Sequence, residues 1–305
     1  MDAAVAVVGC NSTGLGRFSC EYDVIVVTGD KRPPMSLRIG DIFVDLTFVT
    51  EKEVLKSSNP EHAMSVALAR PVRDASLVLS TGSATNSAVF MELAKQASGT
   101  RLASALKTLG RAEAALSGGM LIDADLWLLA SSYEYAYARL LSRETLPSPS
   151  HLLSQLRESA KGAPRSFEGV SLGAGLEAAG RAGCGARLEG VTVLHDLLRE
   201  GSKAESSNSS WPQVKTDILV AKAQELVTRA ELAECYSYLG QELVDDMMNL
   251  LRLHPRRTLT SLTSDRDRLL GERLMRQLGL ARNEKAVQTG VEIVKQQVSL
   301  LARRT

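Results

Sequence analysis

The first fifty residues hold a Gly-bounded turn, an arginine, an acid pair and a third acid, which together could handle phosphate and a divalent cation. The segment Gly9-Cys10-Asn11-Ser12-Thr13-Gly14-Leu15-Gly16-Arg17-Phe18-Ser19-Cys20-Glu21-Tyr22-Asp23-Val24 reads as a strand end, a hydroxyl-rich turn and the start of a second strand. Side chains alternate between the faces of a strand, so Glu21 and Asp23 share one face. Asp45 falls in the next strand candidate; if the two strands are neighbours, three carboxylates converge at one sheet edge. Three such groups repel one another and stay ionised together only beside a cation. Their hard oxygens suit Mg²⁺, which takes a few carboxylates plus substrate phosphates and water. Two such ions can bracket an in-line displacement. The turn from Gly9 to Gly14 offers backbone N–H groups to a triphosphate, with Ser12 inside it and Arg17 as a further anion ligand. An acid pair alone is more often a solvated strand edge; the turn and Asp45, in register with it, favour a site.

These groups need a small sheet to hold them. Short β-branched runs bounded by turn formers recur at Val5–Val8, Val24–Val27, Ile42–Val49 and Leu77–Leu79, and predict strands. Asn59-Pro60 predicts a helix start. Gly82-Ser83-Ala84-Thr85-Asn86 reads as a loop in which Thr85 or Asn86 caps a helix. From about residue 101 the texture turns helical. Leu102, Ala105, Leu106, Leu109, Ala112 and Leu116 keep helical spacing, as do Leu126, Leu129, Ala130, Tyr133, Tyr137, Leu140 and Leu141. Pro147 and Pro149 end that second helix and His151 begins the next. The Gly- and Ala-rich stretch 166–200 lets helices approach closely. Residues 201–213, small and polar, form the linker candidate, and long helical patterns follow at about 214–253 and 265–303. The expected architecture is α+β: a small mixed sheet domain at 1–100, a helical domain at 101–205 and a C-terminal helical segment at 214–305.

The N-terminal pattern resembles the polymerase-beta-type nucleotidyltransferase superfamily. That family carries a Gly-Ser turn, a second Gly five residues after the first, a Ser, an acid-x-acid pair and a third acid on a later strand. Here Gly9, Gly14, Glu21, Asp23 and Asp45 fall in register, with Arg17 at a loop position that is often basic. The resemblance covers about a third of the chain. It implies that Glu21, Asp23 and Asp45 are catalytic and hold Mg, that Asp45 accepts the proton of the attacking hydroxyl, and that Gly9, Cys10, Ser12, Gly14 and Arg17 bind the nucleotide. Three positions depart from the pattern. Cys10 and Cys20 stand where the family has Ser, and a thiol is a weak donor; Glu21 stands for Asp, with one more methylene. The family also has a helix before the first strand, whereas this sequence opens on the strand, so either another element covers that face or the true start lies upstream.

Residues 102–200 resemble the HEPN or kanamycin-nucleotidyltransferase C-terminal helical type. Arg143 and His151 are separated by seven residues and two prolines, too far for the HEPN nuclease pair, so ribonuclease activity is not expected. Tyr133 and Tyr137 share a helix face four residues apart and could line an acceptor pocket, although core packing is the commoner role of such a pair. Arg256-Arg257 and Arg266/Arg268 read as solvated faces.

The 305 residues carry 36 basic and 35 acidic side chains, so net charge argues neither for nor against nucleic acid; aromatics at 4% make a base-stacking platform less expected. The four cysteines and four histidines form no zinc-type spacing, and the cysteines read as reduced thiols of a cytosolic protein. No apolar run is long enough to span a bilayer, and no basic leader is visible. The combined expectation is a cytoplasmic, Mg-dependent nucleotidyltransferase that moves a nucleoside monophosphate from an NTP, ATP foremost, to a hydroxyl-bearing acceptor that is a small molecule, a protein or RNA. It has no membrane partner, and a homodimer stays open. The alternative is a catalytically weakened nucleotide-binding or protein-interaction module.

Overall fold

The apolar runs Val5–Val8, Val24–Val27 and Ile42–Val49 lie in strands, as their β-branched composition predicts. The computed structural model describes residues 3–159, 164–204, 213–253, 258, 259, 271–280 and 282–303. The fold is α+β, a five-stranded mixed sheet followed along the chain by helices. Two units can be distinguished: one comprises residues 1–99, 140–148 and 212–222, and the other residues 100–139, 149–211 and 223–305.

In the first unit the chain runs β1 (Val5–Val8), α1 (Gly9–Thr13), β2 (Tyr22–Val27), β3 (Met35–Ile39), β4 (Ile42–Val49), α2 (Glu51–Leu55), α3 (Pro60–Ala67), β5 (Arg70–Arg73), α4 (Val78–Ala88) and the first part of α5 (Phe90–Ser117). The strand order is β3-β4-β2-β1-β5. β2 and β4 are parallel, and the other neighbouring pairs are antiparallel. Ala4, Ala6, Val8, Ile25 and Val49 pack with Val54 of α2, Val66 of α3 and Val78 and Leu79 of α4 into one core cluster. Thr50 and Glu53 close a capping box on α2, and Asn59 accepts hydrogen bonds from Glu61 N and His62 N at the start of α3.

Three expectations for this unit need correction. Leu77–Leu79 is no strand: Leu77 lies in the left-handed region and α4 begins at Val78, because the Asp74 carboxylate accepts from Leu79 N at 3.0 Å and Ser80 N at 2.7 Å. Gly82–Asn86 is no loop. It lies inside α4, where a Cβ on Gly82 would come within 2.5 Å of Val54, and buried Asn86 donates to Val54 O and Gly82 O. Two strands, β3 and β5, form where none was expected.

The second unit holds the rest of α5 and most of α6 (Leu121–Leu141), then α7 (Leu152–Ser159), α8 (Pro164–Gly173), α9 (Arg181–Ala204), the end of α10 (Gln213–Thr228), α11 (Leu232–Leu253), α12 (Glu272–Leu278) and α13 (Glu284–Ala302). The long pattern at 214–253 is broken into α10 and α11 at Ala230, which has a positive φ. Close helix approach does use small residues: a Cβ on Gly173 would strike Ser132, and one on Gly290 would strike Leu128. The linker candidate and the Arg256-Arg257 and Arg266/Arg268 pairs lie wholly or mainly outside the described residues, α9 itself running to Ala204. Among the described residues no helix is long and apolar enough to cross a membrane.

Candidate functional site

β1 hands the chain to α1 through Gly9, which has φ +67°. Glycine is required here twice over. The left-handed conformation disfavours a side chain, and a Cβ would lie 2.1 Å from Asp23 Oδ2. The backbone of the turn therefore presses directly on an acid of the neighbouring strand. Gly14 ends α1 in the same left-handed region, at φ +81°. Within the turn, buried Ser12 donates to Gly9 O at 3.0 Å, and Thr13 bonds Gly9 O and Cys10 O. Asn11 Nδ2 donates to Glu21 O at 2.7 Å, which bolts α1 to the entry of β2.

The sheet then brings the acids together. Asp23 pairs with Asp45 across the parallel β2–β4 ladder and with Val8 across the antiparallel β1–β2 ladder. Glu21 precedes β2 by one residue. One carboxylate oxygen from each of Glu21, Asp23 and Asp45 lies within 4.8 Å of the others. Burial pushes the Asp23 carboxyl up to about 7, with the charge of Glu21 and then that of Asp45 adding to the rise while the Lys222 ammonium opposes it.

Lys222, on α10, is a residue of the candidate site that the sequence pattern does not reveal. Its side chain is only 7% exposed, and its Nζ is in ion-pair contact with Glu21 Oε2. Asn11 is also outside the expected set. In hindsight an Asn inside a Gly-bounded turn is a cue for a local tether, whereas nothing in the helical pattern of α10 singles out Lys222.

The other expected residues are placed as follows. Arg17 is half-buried. Cys10 and Cys20 are both buried, with their sulfurs within 4.8 Å of each other. A hydrogen bond to Cys20 and burial raise the Cys10 thiol far above its ordinary range, so it stays protonated. Tyr133 and Tyr137 lie in the second unit. Tyr133 is buried and donates to Ser237 O at 3.0 Å; half-buried Tyr137 donates to Gln241 Oε1 and lies under the Arg101 guanidinium. His151 is buried and Arg143 exposed.

A divalent cation fits the carboxylate cluster on two observations. Asp45 Oδ1 is buried without a hydrogen-bond partner, and the converging donors are all carboxylate oxygens, the set that hard ions prefer. A buried acceptor with no donor costs free energy unless something supplies positive charge.

No protein-family model and no curated protein matches the chain. Among solved structures, a nucleotidyltransferase-like protein from Exiguobacterium sibiricum 255-15 aligns over 91% of this chain and 81% of its own, at 14% identity and a TM-score of 0.35. A likeness that low transfers no chemistry to this chain.

Proposed function

We propose that the chain is a Mg-dependent nucleotidyltransferase, with the cluster of Glu21, Asp23 and Asp45 as its cation centre and the Gly9–Gly14 turn as its phosphate seat. The observation that carries this reading is the cluster itself: three carboxylates with converging oxygens, one of them buried without a donor, against a glycine turn that no side chain could share. Bound at the cluster, Mg²⁺ would neutralise charge at the phosphoryl group and acidify the attacking hydroxyl.

The chain's own groups do the rest. The start of α1 would offer its first backbone N–H groups, from Gly9 to Ser12, to the triphosphate, the Gly14 N–H being bonded to Cys10 O, with Cys10, Ser12 and Arg17 beside them. Asp45 accepts the proton of the acceptor hydroxyl as the new oxygen–phosphorus bond forms, and the bond to pyrophosphate breaks on the opposite side. ATP is the favoured donor. The acceptor carries a hydroxyl and is a small molecule, a protein or RNA. A second reading, a silent nucleotide-binding or interaction module, is favoured by Cys10, whose buried thiol is hydrogen-bonded to Cys20.

Calorimetric titration with ATP and GTP, with and without Mg²⁺, separates the two readings. The transferase reading expects Mg-dependent binding to wild type that collapses in Asp23→Asn/Asp45→Asn. Absence of binding to either nucleotide would move the assignment to the interaction module.

A further inference from the structure

Glu21 already has a cation. The Lys222 ammonium touches its Oε2, and both groups are withdrawn from water, with side-chain exposures of 7% for Lys222 and 17% for Glu21. Two-metal centres set their ions about 3.5–4 Å apart and bind them through adjacent carboxylates. A second ion held through Glu21 would sit beside a fixed ammonium, and like charges at such range repel strongly where water is scarce. Asp23 and Asp45 are in a different position. They face each other across the ladder, and Asp45 Oδ1 is buried without a donor.

We infer that Lys222 is a positioning residue that serves as the resident countercation of Glu21, so that the centre binds one divalent ion, on Asp23 and Asp45, rather than two. This inference rests on the cation-centre reading above and narrows it. An ammonium anchored on a buried stem cannot exchange with solution as a second Mg²⁺ would. The charge on Glu21 is therefore balanced at any Mg²⁺ concentration, and only Asp23 and Asp45 wait for the metal.

The test counts Mn²⁺ bound to the full chain, with free Mn²⁺ read by electron paramagnetic resonance and no nucleotide present. Wild type should bind one ion. Lys222→Met, which frees Glu21, should bind two. The double variant Glu21→Gln/Lys222→Met removes both charges together and should keep one ion, whereas Asp23→Asn and Asp45→Asn, each losing a direct ligand, should weaken that ion by more than the roughly 10–100-fold that loss of an outer-shell partner costs. If Lys222→Met does not fold, as judged by circular dichroism, the neutral double variant carries the test alone. Loss of Mn²⁺ in the double variant would make Glu21 a ligand and overturn the inference. Two ions in wild type, both lost in Asp23→Asn, would leave the cation centre standing and remove this role of Lys222. No Mn²⁺ bound by wild type would overturn the inference and the centre together.

Discussion

Acids are withdrawn from solvent in both units, half-buried in the sheet unit and buried in the helical one, but they are treated differently. In the helical unit Asp125, Glu234 and Asp123 are held by donors, and Asp246 lies 3.1 Å from His195 Nε2. Asp125, 1% exposed, takes an ion pair and hydrogen bonds from Arg282, whose remaining N–H groups reach Leu172 O and Gly173 O. Glu234 accepts from Leu153 N at 3.1 Å and from Ser154 N at the start of α7, and Asp123 accepts from Leu259 N at 2.9 Å. In the sheet unit three carboxylates crowd together with the Lys222 ammonium in ion-pair contact, Asp45 Oδ1 is buried without a donor, and the Asp23 carboxyl is pushed up to about 7, first by burial. A satisfied buried acid holds helices together, whereas an under-satisfied cluster is what the proposed cation centre requires.

That contrast can be broken from either side. The largest effect is expected from Arg282→Leu, which strands the Asp125 carboxylate; urea denaturation should show a loss of about 3–5 kcal/mol, and Arg282→Leu/Asp125→Leu should recover much of it. Glu234→Leu comes next. It leaves the Leu153 and Ser154 N–H groups without an acceptor, and the same measurement should show a loss of about 1–3 kcal/mol. Asp23→Asn should have the smallest effect, and without divalent ions its sign should be reversed. The Asp23 pKa is raised from 3.8 to about 7 in the folded protein, so both states are protonated below pH 4, only the folded state keeps the proton between pH 4 and 7, and its stabilisation is lost as pH climbs through 7. Wild type should therefore lose thermal stability between pH 5 and pH 8 relative to Asp23→Asn, and millimolar Mg²⁺ should restore it to wild type only. A wild-type advantage at pH 8 in chelator would place Asp23 with the structural acids of the other unit. The same titration predicts that divalent binding to wild type strengthens as pH rises to about 7 and then levels off.

Much of the candidate site's geometry could be read from the chain because it is local. Gly9 to Asp23 lie in one stretch, strand alternation puts Glu21 and Asp23 on one face, and β4 carries Asp45 into register with Asp23 through its own apolar pattern. The edge strands were hidden for the opposite reason. β5 reads Arg70-Pro71-Val72-Arg73 and is exposed throughout, so no buried face imprints an alternation on it. β3 is only half-buried at its middle residues. Leu77–Leu79 misled because three apolar residues have no period, and the cue that counted was the Asp74 side chain reaching forward to cap α4. Lys222 could not be found at all: its pairing with Glu21 spans most of the chain, and a lysine in a helical pattern ordinarily reads as solvent-facing.

The Lys222–Glu21 contact also orders events during synthesis. The strands that carry the acids leave the ribosome long before α10 does. At about 5–20 residues per second, the interval between Asp45 and Lys222 is on the order of ten to thirty seconds. Throughout that interval the nascent sheet carries its acids without the Lys222 ammonium, so this ion pair forms late, when a segment more than two-thirds of the way along the chain returns to the part made first.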